Sequence, residues 1–85
     1  MNGGFWHRPP QTALLLEKLR EKRAQGKALE LPTIMHELGI AQHGARLKEL
    51  CDRGFVIANE LESKDGRLHS RYWLIHDPER DGEQQ

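Results

Sequence analysis

The sequence has a single cysteine, Cys51, so the chain cannot close a disulfide on itself and cannot build a multi-cysteine zinc site. It has no net charge, with 13 lysines and arginines against 13 acids, which counts against the strong nonspecific nucleic-acid binding that phosphate neutralisation drives. Nowhere do about 18 apolar residues run together as a membrane span requires, and the opening MNGGFWHRPPQ lacks the apolar run of a secretory signal. These absences lead to the expectation of a soluble protein in the reducing cytoplasm. There is no Ser/His/Asp ordering, phosphate loop or inward carboxylate pair to carry catalysis, so no enzyme is expected. The five histidines (His7, His36, His43, His69, His76) show neither HxxxH nor HExxH spacing, and no metal or cofactor is expected.

What is present is enough for one modest core: 36% of the 85 residues are hydrophobic and 31% charged. The charge is unevenly spread. His76–Gln85 holds four acids and one base, leaving Met1–Ile75 with 12 bases and 9 acids. Residues 1–10, with Gly3, Gly4, Pro9 and Pro10, read as a flexible arm on which Phe5 and Trp6 could still dock. Residues 11–75 read as the folded domain, and residues 76–85 as an acidic disordered tail.

Within the domain, QTALLLEKLREKRAQ places Leu15, Leu16 and Leu19 on one helical face, with Gln11 or Thr12 as the start and Gly26 as the stop. A short extended piece, Lys27–Glu30, leads to a two-turn helix over Pro32–Leu38 that Gly39 ends. A third helix over Ala41–Arg53 would place Ile40, Gly44, Leu47, Leu50 and Cys51 on one face. FVIANELE and RLHSRYWLI then change to strand-like composition around a turn with Asp65-Gly66 at its tip. The expected core is Leu15, Leu19, Ile34, Leu38, Ile40, Leu47, Leu50, Phe55, Ile57, Tyr72 and Leu74, with Cys51 as a small buried apolar residue. Three helices and a β-hairpin give an α+β fold with the plan of a winged helix-turn-helix.

The segment LPTIMHELGIAQHGARLKELCDRGFVI, followed by DGRLHSRYWL, resembles the winged helix-turn-helix family of small bacteriophage and prophage proteins. The resemblance covers roughly Gln11 to Leu74. It rests on the Gln-Thr opening of the first helix, the A-R-L-x-E-L-x-x-x-G-x-x-I core from Ala45 to Ile57, and the S-R-Y-x-L ending from Ser70 to Leu74. It implies a DNA-binding fold and a transcriptional regulator or DNA-transaction accessory factor.

On that reading Gln42, His43 and Arg46 open the recognition helix, where Gln pairs with adenine and Arg with guanine in the major groove. Lys48 and Arg53 would touch the backbone from the same helix. Lys64, Arg67, His69 and Arg71 gather on the hairpin for phosphate or minor-groove contact. Structural alternatives stand beside these roles. Arg46 could brace the hairpin through Glu60 or Glu62, His43 could be a solvated helix residue, and the hairpin cations could simply protect an exposed edge. Arg20, Lys22 and Arg23 read as a solvated stripe. The expected partner is double-stranded DNA, read by a homodimer, with the acidic tail competing against phosphate for the hairpin and recognition helix. The other reading is a protein-interaction module that binds a host protein through Phe5, Trp6 and Trp73.

Overall fold

The structure, a computed structural model, describes residues 10–82. Helix α1 (Gln11–Ala24) buries Thr12, Leu15, Leu16 and Leu19, a spacing that places all four on one stripe. It ends in a Schellman motif: Gly26, at φ +70°, donates to the Arg23 carbonyl at 3.0 Å, and the Lys27 amide reaches back to the Lys22 carbonyl at 2.9 Å. The chain continues into a two-residue strand, β1 (Leu29–Glu30), whose Leu29 is fully buried.

A five-residue π-helix, Thr33–Glu37, follows, and its wide turn is closed by the Leu38 amide donating to the Thr33 carbonyl at 3.2 Å. Gly39 then takes φ +66°, and the next amide, of Ile40, donates to the Ile34 carbonyl at 3.1 Å. This sharp reversal drops Ile40 into the core with no exposure. Helix α2 (His43–Asp52) starts two residues later than the expected Ala41, with Gln42 at its N-cap, and Arg53 is its C-cap. The expected helix over Pro32–Leu38 corresponds to a helical run that begins at Leu31 and passes into the π-helix, with Leu38 as its C-cap.

Strands β2 (Val56–Lys64) and β3 (Arg67–His76) form the hairpin. Asp65 and Gly66 both have positive φ (54° and 77°), the combination that a tight two-residue hairpin turn demands and that an Asp-Gly pair supplies. β1 pairs with β3 from the other side, Leu29 opposite Tyr72, giving an antiparallel sheet in the order β1-β3-β2. Val56 is opposite His76 and Ile57 opposite Leu74, so Ile75 is the extra residue of a bulge. Alternation along β3 sends Tyr72 and Leu74 to the buried, helix-covered face and Arg67, His69, Arg71 and Trp73 to the other, open face.

The core joins Leu15, Leu16, Leu19, Leu29, Ile34, Ile40, Leu50, Phe55, Tyr72 and Leu74, with Leu31, Leu38, Leu47 and Ile57 partly buried against it. Three expectations are corrected. Cys51 is exposed, not buried: the inward stripe of α2 runs through His43, Arg46, Leu47 and Leu50, and the helical period leaves Cys51 and Gly44 on its flank. Leu38, Leu47 and Ile57 are only partly covered, packed against the core. Nor does disorder begin at residue 76, because His76 is the last residue of β3 and Asp77 is fully buried. The expected arm lies outside the described residues except for Pro10, the N-cap of α1, and residues 83–85 of the tail also lie outside them. Among the described residues no helix is long and apolar enough to cross a membrane.

Leu50→Ala removes the most deeply buried side chain of α2 and is expected to cost roughly 2–5 kcal/mol. Gly39→Ala meets no neighbouring atom but must hold a left-handed backbone, at about 1–2 kcal/mol. Urea denaturation checks both; a midpoint unchanged in either variant contradicts the packing or the turn described.

Candidate functional site

The expected recognition residues open α2. Gln42 is exposed at the N-cap. His43 is half-buried, its ring 6.2 Å from that of Tyr72 and tilted by 58°, and its Nδ1 is buried without a hydrogen-bond partner. Arg46 does not reach the hairpin. Its Nε lies 3.0 Å from Glu49 Oε1, one turn on in the same helix, in a charge contact whose geometry leaves the buried N–H without a hydrogen bond. Glu49 is held from the other side as well, since the Thr12 hydroxyl of α1 donates to the same carboxylate oxygen at 2.7 Å. This acid therefore ties α1 to α2.

Further along α2, Lys48 pairs with Asp52 one turn away at 3.1 Å, both well exposed. Arg53 donates to Glu79 at 2.9 Å, and its guanidinium lies 5.5 Å from the centre of the Phe55 ring. Arg20 of α1 lies 5.7 Å from the same ring, so Phe55 is flanked by two guanidinium groups.

On the hairpin, Lys64 and Arg67 face each other across the turn, exposed and without an ion-pair partner among the described residues. His69 lies opposite Glu62, half-buried. The arginine that engages Glu60 is Arg71, not Arg46: its Nε donates to Glu60 at 3.1 Å and its other nitrogens approach Glu60 and Glu62. The Trp73 indole N–H donates to the same Glu60 oxygen at 3.1 Å, and Arg71 sits 5.9 Å from the centre of the Trp73 ring. Hydrogen bonds from Arg71 and Trp73 hold the Glu60 carboxyl below its ordinary range.

The constellation that sequence reasoning missed is the C-terminal turn. Asp77 accepts two hydrogen bonds from Arg20, at 2.6 and 3.0 Å, and one from the Glu79 amide at 3.0 Å. Glu79 accepts from both Arg20 and Arg53. Asp81 receives both terminal nitrogens of Arg23, at 2.9 and 2.7 Å, together with the Asp77 amide, and Arg23 also donates to the carbonyl of the bulged Ile75. Arg20 and Arg23 are thus not a solvated stripe. The one signal in the sequence was their three-residue spacing on α1 against the three acids Asp77, Glu79 and Asp81.

Of the lysines and arginines among the described residues, seven are in ion pairs: Lys18, Arg20, Arg23, Arg46, Lys48, Arg53 and Arg71. The five without one are Lys22 and Lys27 at the end of α1, Lys64 and Arg67 at the hairpin tip, and Arg80. Comparison with family models, curated proteins and solved structures gives no match.

The described acids of the tail grip α1, Arg53 and the base of β3 at His76 rather than the hairpin tip, so deleting Asp77–Gln85 is expected to destabilise the domain. Asp77→Asn leaves Arg20 with only the exposed Glu79 as an acidic partner and is expected to cost roughly 1–3 kcal/mol. The Arg20 hydrogen bonds hold the Asp77 carboxyl below the ordinary range against the opposing effect of burial, and Arg23 does the same for Asp81. Groups ionised more readily in the folded chain contribute stability above the unfolded carboxylate pKa, so stability should be level down to about pH 4 and fall below it. Thermal melts between pH 7 and 2 check this; in Asp77→Asn the acid-side fall should be shallower.

Proposed function

We propose that the domain is a winged helix-turn-helix that binds double-stranded DNA, offering α2 to the major groove and the hairpin tip to the flanking backbone. The observation that carries the reading is the pair Lys64 and Arg67, uncommitted cations facing each other at the tip of the hairpin. The element order supports it too: helix, short strand, short helix, Gly39 turn, helix and hairpin. The two acids of α2 weigh little against phosphate, because Glu49 is taken up by Thr12 and Arg46, and Asp52 by Lys48. Base reading falls first to the exposed Gln42, with the half-buried His43 and Arg46 beside it, and Arg46, like Lys48, Arg53 and Arg71, would have to leave an acid to touch DNA. In this role the protein is a phage- or prophage-type regulator or a DNA-transaction accessory factor, with a second copy to read a second half-site.

A second reading, an interaction module for another protein, is favoured by Leu61 and Leu68, 63% and 74% exposed on the hairpin face that Tyr72 and Leu74 bury nearer the helices. Salt titrations on random and selected duplexes separate the two. Arg67→Ala should weaken every sequence alike and lower the salt slope by about 0.9, the value for one phosphate contact. Arg46→Ala should cost about 1–3 kcal/mol on the preferred sequence and relax base preference. Duplex binding that is undetectable at low salt in the unaltered protein defeats the DNA reading and leaves the leucines as the surface to alter.

A further inference from the structure

A cleft of about 380 Å³ opens between the end of α1 and the open face of β3, lined in part by Lys22, Lys27, Glu30, Thr33, Arg71 and Trp73. We propose that it binds a nucleoside phosphate, with Lys22 and Lys27 taking the phosphate and the Trp73 ring the base. This inference stands apart from the duplex-binding reading, which uses neither lysine.

The backbone dictates the pairing of the lysines. In a Schellman motif the residue two before the last helical one and the residue after the left-handed glycine come together, and an apolar contact commonly joins them. Here those residues are Lys22 and Lys27, linked by the 2.9 Å backbone hydrogen bond. Two like charges are brought to one wall, and neither has an ion-pair partner among the described residues. The negative end of α1 offsets them by only about half a charge, so the wall keeps more than one positive charge. Arg71 adds little, because Glu30 lies opposite it in the sheet and Glu60 and Glu62 approach it. Among the residues that line the cleft, Lys22, Lys27 and Arg71 against Glu30 leave two positive charges, Glu60 and Glu62 lying outside the lining, and a phosphomonoester carries about −1.5 to −2 at neutral pH.

The other wall is aromatic and held in place. Trp73 is half-buried, its N–H is bonded to Glu60, and Arg71 lies against its ring. An indole fixed beside a dianion site suits a nucleobase, which stacks on aromatic rings whatever its identity. The cleft lies within the size range of small-ligand sites, about 300–1,000 Å³. An acidic peptide fits less well, since any length of it along the open face would meet Glu30, Glu60 and Glu62.

The chain has two tryptophans, so Trp6→Phe leaves Trp73 as the sole reporter. At low salt, titration of this protein with adenosine 5′-monophosphate should quench Trp73 fluorescence to saturation. Adenosine should bind at least tenfold more weakly, and inorganic phosphate should compete for the site without quenching. A single-stranded oligonucleotide should gain affinity from a 5′-phosphate if strand ends are the source, and show no gain if free nucleotides are. Lys22→Gln with Lys27→Gln should lose at least tenfold in nucleotide affinity with little change in melting temperature, while Lys64→Gln with Arg67→Gln should leave it unchanged. Equal binding of adenosine and its monophosphate, or no loss in the double lysine variant, would overturn the proposal. So would an equal loss in the hairpin variant, which would mean one diffuse basic surface; failure of duplex binding alone would leave the cleft site standing.

Discussion

Asp77 has no contact with solvent, and a carboxylate so placed is tolerable only with its charge and its lone pairs matched. Arg20 meets that requirement from α1 with two hydrogen bonds, and the rest of the C-terminal turn is arranged around them. Glu79 bridges Arg20 to Arg53, and Asp81 clamps Arg23, which also reaches the bulged carbonyl of Ile75. The first helix, the end of the second, and the end of the last strand are thereby fastened at one place, with Phe55 between the two guanidinium groups. A domain this small has little core to spare, so a polar knot at the point where three elements converge carries unusual weight.

The same knot explains the absence of net charge. A neutral composition in a domain proposed to bind duplex DNA looks contradictory until the acids are located. Those of the C-terminal turn are spent on Arg20, Arg23 and Arg53; Glu49 and Asp52 are spent within α2, and Glu60 on Arg71. Among the described residues, the cations that remain unpaired are Lys64 and Arg67 at the hairpin tip, Lys22 and Lys27 at the end of α1, and Arg80. A protein whose cations are mostly committed internally should bind weakly to arbitrary phosphate chains and rely on a few placed contacts.

Much of the fold was legible in the sequence because it depends on short-range rules. Leucines at helical spacing, a glycine at each reversal and an Asp-Gly tip specify α1, the turns and the hairpin through local backbone preference and amphipathic pattern. Most of the expected core residues lie in the core or against it for the same reason. Leu29 escaped notice because a two-residue strand carries no period to detect, and Cys51 was misplaced because the phase of a short helix is ambiguous at the edge of its apolar stripe.

By itself, then, the sequence determined the order of the elements, their turns and the body of the core, all consequences of residues within a few positions of one another. It also supplied every charge. Lys18 with Glu21, Arg46 with Glu49 and Lys48 with Asp52 pair within one helical turn, but the pairs that fasten the fold were decided by tertiary structure, because Arg20 and Asp77 are 57 residues apart and Arg23 and Asp81 are 58 apart. A run of acids at a chain end has the composition of a disordered tail and becomes a buried anchor only where folding sets the arginines of α1 against it. The cations left over in pairs are Lys64 with Arg67 and Lys22 with Lys27. The fold brings carboxylates from distant segments to Arg20, Arg23, Arg53 and Arg71, and none to these.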